Sequence, residues 1–259
     1  MPVRRKEFLV TGEIYHIFNK TVANEEVFSG KKELERLDEL VDYYRFNPNF
    51  SFSKYKHLAI NERNKYLLSL MNLPKIVEIY AFAFMPNHFH LLLKQLQDGG
   101  IKTFSSNIQN GFAKYYNIKN NRLGSLFVKP FKSKRITRDE IFLHVSRYIH
   151  LNPVTSYLVN FSELTMYPWT SYTSYINKQP RAKSPRFSRK GSNSLFTASL
   201  HPWTKSPRFS RSLNKKDNSF VNTEFIIKLM GTSENYVKFV ANQSDYQRKL
   251  KLIKNFLYE

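Results

Sequence analysis

Cysteine is absent from the 259 residues. That absence removes disulfides, thiolate-bound zinc and thiol nucleophiles together. Acidic residues are scarce, with 20 Asp+Glu against 41 Lys+Arg and a formal net charge of +21. No apolar run reaches the ~18 residues a membrane helix needs, so a spanning segment is not expected. The basic start, Met1-Pro2-Val3-Arg4-Arg5-Lys6, has no apolar stretch behind it and does not read as a signal peptide. A phosphate-binding P-loop and a carboxylate triad are also missing.

What is present can build a core. Hydrophobic residues make up 41% and aromatic residues 15%, with 22 Phe and 16 Tyr, which excludes a wholly disordered basic tail. The length suits one domain with an appendage, or two small domains. The simplest location is intracellular, in the cytoplasm. The cationic excess makes nucleic acid the leading partner, the plainer alternative being a solvated basic surface.

Residues 11–20, TGEIYHIFNK, alternate and read as a strand. Ser29 can cap a helix running to about Phe46, with Leu34, Leu37, Leu40, Val41 and Tyr44 at helical spacing. A short helix is expected over 59–71. Apolar strands at 76–85 and 88–95, broken by Pro86-Asn87, read as a hairpin. A helix over 101–116 places Phe104, Ile108, Phe112 and Tyr115 on one side, and 125–136 reads as a further strand. Thr137 then opens a helix with Asp139 and Glu140 in its first turn, which suits the helix dipole. It is expected to end near Asn152-Pro153. The order strand, helix, strand, strand, helix, strand, with an added helix, predicts an α+β, ferredoxin-like split βαβ fold. Two helices cover one face of its antiparallel sheet. The other face is left for a ligand or another helix.

Residues 176–216 differ in character. They hold 11 Lys or Arg and no acid, and KSPRFSR occurs at 183–189 and again at 205–211. Two copies are too few for a solenoid, so the segment reads as a basic, flexible linker. Helical patterns resume from about Val221, with Phe225, Ile226, Leu229 and Met230 before Gly231, then over 234–240 and 246–257. The expected division is a domain at 1–175, a linker at 176–217 and a small helical C-terminal appendage at 218–259.

Two constellations could carry chemistry. In Met85-Pro86-Asn87-His88-Phe89-His90, residues two apart share a strand face. His88 and His90 then point away from the apolar set Phe89, Leu91 and Leu93. Two neutral imidazoles so placed can hold a divalent ion, or be unrelated histidines on a polar face. In Arg147-Tyr148-Ile149-His150-Leu151-Asn152-Pro153, Tyr148 and Asn152 lie four apart on one helix face. Such a Tyr can be a nucleophile and such an Asn a hard oxygen ligand; equally, the Tyr can pack and the Asn can stop the helix. His16 could share the face of His88 and His90, though packing is its expected role, and His150 faces elsewhere on the helix. Phe127, Lys129, Phe131, Lys132, Lys134 and Arg135 interleave rings and cations. That pattern can stack bases and hold phosphates, or form an amphipathic strand with core aromatics. Trp169 reads as a packing anchor.

Taken in order, these motifs resemble the HUH single-tyrosine transposases, which include the REP-associated tyrosine transposases and relatives in insertion sequences. The resemblance rests on His-Phe-His at 88–90 and Tyr-Ile-His-Leu-Asn-Pro-Val at 148–154. It extends to Tyr15-His16-Ile17-Phe18-Asn19-Lys20, Phe84-Met85-Pro86-Asn87-His88, Gly124-Ser125-Leu126-Phe127, Phe131-Lys132-Ser133 and Tyr167-Pro168-Trp169-Thr170-Ser171-Tyr172. It covers roughly residues 10–175, with a weaker match from Val221 to Val240. The linker departs from the family's pattern and takes no role from it.

The resemblance implies that the helix after the fourth strand is catalytic. It implies Mg²⁺ or Mn²⁺ on His88, His90 and Asn152, and single-stranded or hairpin DNA as substrate. Tyr148 would be the nucleophile that forms a 5′-phosphotyrosine, with strands later rejoined by a returning 3′-OH. Lys129, Lys132, Lys134 and Arg135 are the candidate DNA contacts. Whether Tyr148 serves its own histidines, in a monomer, or those of a second chain, in a homodimer, stays open. A non-catalytic sheet that binds nucleic acid is one alternative, although the Lys/Arg-Gly-Phe/Tyr-Gly/Ala-Phe motif of RNA-recognition sheets is absent. A former transposase kept as a regulator is another.

Overall fold

A computed structural model describes residues 8–176 and 220–242. The four strands are β1 (Ile14–Lys20), β2 (Val77–Met85), β3 (His88–Gln95) and β4 (Lys132–Ile136). They form one sheet in the order β2-β3-β1-β4, with every pairing antiparallel. This is the expected ferredoxin-like order. Three helices separate β1 from β2: α1 (Lys31–Tyr43), α2 (Phe52–His57) and α3 (Ile60–Met71). The long helix α4 (Gly100–Lys119) joins β3 to β4, and α5 (Asp139–Thr155) follows β4.

Strand alternation sorts the side chains onto two faces. Tyr15 and Ile17 of β1 pair with Leu93 and Leu91 of β3 and are fully buried. This face lies against α1 and α4, where Phe28, Phe112 and Phe127 bring their rings within 4.6–6.2 Å of one another. The opposite face carries His16, Phe18, His90 and Leu92, with Ala81 and Ala83 of β2 in register with Leu92 and His90. Helix α5 covers it. The two alanines keep the sheet thin where the helix crosses, which brings α5 side chains down to the histidines.

Both sheet edges are guarded. Along β2, Phe84 N–H donates to the Trp169 carbonyl at 2.9 Å and Ser171 N–H to the Phe82 carbonyl at 3.0 Å. Asn222 N–H donates to the Ile79 carbonyl at 2.8 Å. Along β4, the sequence KSKRI supplies three cations in five residues. The remaining helices, α6 (Tyr172–Ile176), α7 (Glu224–Met230) and α8 (Ser233–Ala241), gather on the outer side of α5. No described helix is long and apolar enough to cross a membrane.

Several expectations change. The strand expected over 125–136 is regular only from Lys132. Before that the chain is a loop, held to the end of β1 and the residues just after it by an isolated bridge between Thr21 and Phe127 and by hydrogen bonds of Val128 with Asn19 and Lys20. Phe127 and Phe131 are buried as core, so their apparent alternation with Lys129 marks packing from a loop. Ser29 does not cap α1; Gly30 holds that position. Helix α5 runs past Asn152 to Thr155 with Pro153 inside it. A proline in the last turn removes a single donor, and Ser156 N–H still closes onto the Asn152 carbonyl at 3.0 Å. The expected linker and the expected helix over 246–257 lie outside the described residues.

Candidate active site

The site forms where the β3 hairpin strand meets α5. His88 and His90 leave β3 on the same face, with ring centroids 5.0 Å apart and planes nearly perpendicular. Tyr148 comes down from α5 edge-on to His90, centroid to centroid 5.4 Å. One helical turn further on, Asn152 hydrogen-bonds His88. The i, i+4 spacing on the helix thus matches the i, i+2 spacing on the strand, and two pairs of side chains meet within one chain.

His16 belongs to the same cluster. Its Nε2 lies 2.9 Å from His90 Nδ1, its ring stacks on His90 at 5.0 Å, and Tyr148 stands edge-on to it at 6.2 Å. Phe18 flanks both rings, 4.9 Å from His16 and 5.7 Å from His90. Packing is thus only part of what His16 does. Its parity on β1 was visible in the sequence. Its contact with His90 depends on the β1–β3 register, which sets His16 opposite Leu92 and Phe18 opposite His90.

All three rings are held neutral. Burial lowers His16 to about 3. Burial, then the neighbouring His16 and His88, drives His90 well below its usual range. Burial also lowers His88, helped by the charge of Lys20 and opposed by the Asn152 hydrogen bond. Neutral imidazoles keep a lone pair for an ion. A proton on His90 Nδ1 donates into His16 Nε2 and leaves His90 Nε2 free, which is how a metal-binding histidine is usually oriented. His16 Nδ1 is buried with no hydrogen-bond partner among the described residues.

The donor set suits a divalent ion. Among the described residues no three His, Cys, Asp or Glu side chains are arranged to hold a metal. Two amide side chains lie against His88 and could add an oxygen donor: Asn152 from α5, and Asn87, whose Oδ1 is 2.6 Å from His88 Nδ1. Two imidazoles and one amide leave coordination positions open for water or a phosphate oxygen.

Cations border this face. Lys20 is opposite His88 in the β1–β3 register, and Lys132 Nζ sits 5.8 Å from the Phe18 ring centroid. Lys134 pairs with His16 in register, on the α5 face. Arg135 lies on the other face, where its guanidinium bonds Glu13 at 2.8 Å. Lys129 is exposed in the loop before β4.

Two solved structures are similar to the chain. One is a REP-associated tyrosine transposase bound to a REP hairpin, 13% identical, covering 75% of this chain and 99% of that one with a TM-score of 0.47. The other is a candidate transposase from Deinococcus radiodurans R1, 15% identical, covering 57% of this chain and 95% of that one with a TM-score of 0.32. No protein-family model matches, and neither does any curated protein.

On its outer side α5 is bolted in place by residues that the catalytic reading did not use. His150 is fully buried, with Nε2 2.6 Å from Ser171 Oγ and Nδ1 2.8 Å from Tyr236 Oη. Tyr236 reaches on to Ser146 Oγ at 2.9 Å. One direction satisfies the whole chain. Phe82 N–H donates to Ser171 Oγ, Ser171 to His150 Nε2, His150 Nδ1–H to Tyr236, Tyr236 to Ser146, and Ser146 to the Leu143 carbonyl. Arg147, also fully buried, donates to the Phe239 carbonyl near the end of α8 and lies over the Phe239 ring at 4.2 Å.

Proposed function

We propose that the chain is a single-tyrosine HUH enzyme that cleaves and rejoins single-stranded DNA, acting on a hairpin-forming mobile or repetitive element. The observation that carries this reading is Tyr148 set against His90 with Asn152 against His88, all from one chain. In this reading Tyr148 Oη loses its proton and attacks a backbone phosphorus. The bond from phosphorus to the 3′ oxygen breaks, and that oxygen leaves as a 3′-OH once protonated. The 5′ phosphate stays on Tyr148. A returning 3′-OH reverses the exchange, so rejoining needs no nucleotide triphosphate.

Phenol is a weak nucleophile at neutral pH, with an ordinary pKa of about 10. His88, His90 and Asn152 would hold a Mg²⁺ or Mn²⁺ ion, which supplies positive charge to the scissile phosphate and the phenolate. His16 holds His90 in orientation, and Phe18 walls the rings from water. Lys20 and Lys132 attract the backbone on either side.

The test is a covalent adduct. Wild-type protein incubated with stem-loop DNA and Mn²⁺ should give a protein–DNA band that survives denaturation. Tyr148→Phe should remove the band while DNA binding, read by gel shift, persists. An adduct that survives in Tyr148→Phe rejects the assignment. Binding without any adduct in the wild type leaves a nucleic-acid-binding module.

A further inference from the structure

The strongest feature outside the Tyr148 cluster is a groove between α4 and the loop over 124–131. Its volume is about 660 Å³, within the ~300–1,000 Å³ range of small-ligand sites. From α4 come Lys102, Ser106 and Asn110, four residues apart and therefore on one helix face. From the loop come Ser125, Lys129 and Phe131. No carboxylate lines the groove. Neither lysine has an ion-pair partner among the described residues. The groove therefore offers two uncommitted cations, several hydrogen-bonding side chains and one aromatic wall.

The loop wall is fixed to the end of β1. Asn19 Nδ2 donates to Gln109 Oε1 on α4 at 2.6 Å and to the Val128 carbonyl at 2.8 Å. Val128 N–H donates to the Lys20 carbonyl at 3.0 Å. Lys20 is the residue opposite His88. The groove thus starts at the sheet end that carries the candidate ion site, on the other side of β1. Lys102 and Lys129 line the groove, and Lys20 and Lys132 stand beside the candidate ion site. Repeated cations, with amides and hydroxyls among them, match a flexible polyanion with polar bases. The groove is too small for a duplex.

We propose that this groove is a second nucleic-acid subsite, which takes one or two unpaired nucleotides of a single DNA strand. Lys102 and Lys129 hold phosphates; Ser106, Asn110 and Ser125 meet base edges. The proposal rests on the reading of Tyr148 above only in making this the same strand that Tyr148 attacks.

The experiment measures anisotropy of fluorescein-labelled dT20 and of a labelled 20-base-pair duplex with the full chain. Two variants are compared, Ser106→Trp, which fills the groove without changing charge, and the double variant Lys102→Glu with Lys129→Glu. Thermal melts confirm that both fold. Each should weaken dT20 binding roughly tenfold or more, the first by shutting bases out of the groove and the second by repelling phosphates from it. The double variant should also lower the slope of log affinity against log salt by about 1.4, at ~0.7 per single-strand phosphate. Duplex affinity should not change for Ser106→Trp. Unchanged dT20 binding by folded Ser106→Trp, or an equal loss with duplex, overturns the subsite. A wild-type protein that forms no adduct overturns the Tyr148 reading instead, and the dT20 comparison still decides the groove.

Discussion

At the scale of single residues, the decisive contact is His16 on His90. A buried imidazole that meets another imidazole fixes which nitrogen faces outward, and so fixes what His90 can bind. His16→Phe keeps a flat ring in the stack but removes the hydrogen bond. It should weaken Mn²⁺ binding by about 10–100-fold, the usual effect of losing the partner of a ligand histidine. Calorimetric titration of the DNA-free protein reads this directly, and equal affinity would return His16 to a packing role. Burial also makes histidines a liability in acid. His16 and His150 are both lowered to about 3, against an ordinary ~6.5. Below pH ~6.5 the unfolded chain takes up protons that the folded chain refuses, so stability is unaffected at neutral pH and falls as pH drops towards 3. Each buried histidine should cost about 2 kcal/mol at pH 5. Urea unfolding at pH 7.5 and pH 5 should show the loss, and His150→Asn should reduce it; a flat profile would refute the assignment.

At the scale of elements, α5 is held from both sides. Its inner face presents Tyr148 and Asn152, while its outer face is joined to α8 and the β2 edge through Ser146, Tyr236, His150 and Ser171. Tyr236→Phe removes the hydroxyl that accepts from His150 and donates to Ser146. A buried donor is then left without its acceptor, at a cost of about 1–3 kcal/mol. Chemical denaturation should report that loss, and adduct formation should slow because the register of Tyr148 over His90 loosens. A variant with wild-type stability would show that apolar packing alone fixes the helix. The inner face of α5 was legible in the sequence because both spacings are local, 88 to 90 on a strand and 148 to 152 on a helix. The outer face was not. Tyr236 meets His150 across 86 residues, and nothing in either segment names the other. The loop over 125–131 was misread for a related reason. Phe127 and Phe131 alternate with Lys129 as a strand would, but Phe127 packs onto Phe28, Phe89 and Phe112 from outside the sheet. Periodicity records burial, not the backbone that achieves it.

At the scale of the whole molecule, the net charge of +21 divides almost evenly. Residues 176–216 contribute 11 of it, with no acid among them, and the rest of the chain contributes the other 10. The proposed chemistry does not need that segment's charge, because the histidines, Tyr148 and Asn152 all sit within 16–152. The basic residues at 176–216 should therefore act on affinity alone, holding phosphates without sequence preference. Replacing all eleven Lys and Arg there by Gln keeps the chain length. The substituted protein should bind stem-loop DNA more weakly at low salt. Its log affinity should also fall less steeply with log salt, by ~0.7 for every single-strand phosphate that is no longer neutralised. Because the proposed ion site and the proposed nucleophile are untouched, the adduct yield at saturating DNA should match the wild type. Two measurements, a salt titration and an adduct assay on the same preparations, separate the roles. Loss of cleavage at saturation would show that the segment enters the active site. Loss of discrimination between hairpin and unrelated single strand, at unchanged salt slope, would make it a reader of sequence rather than a source of charge.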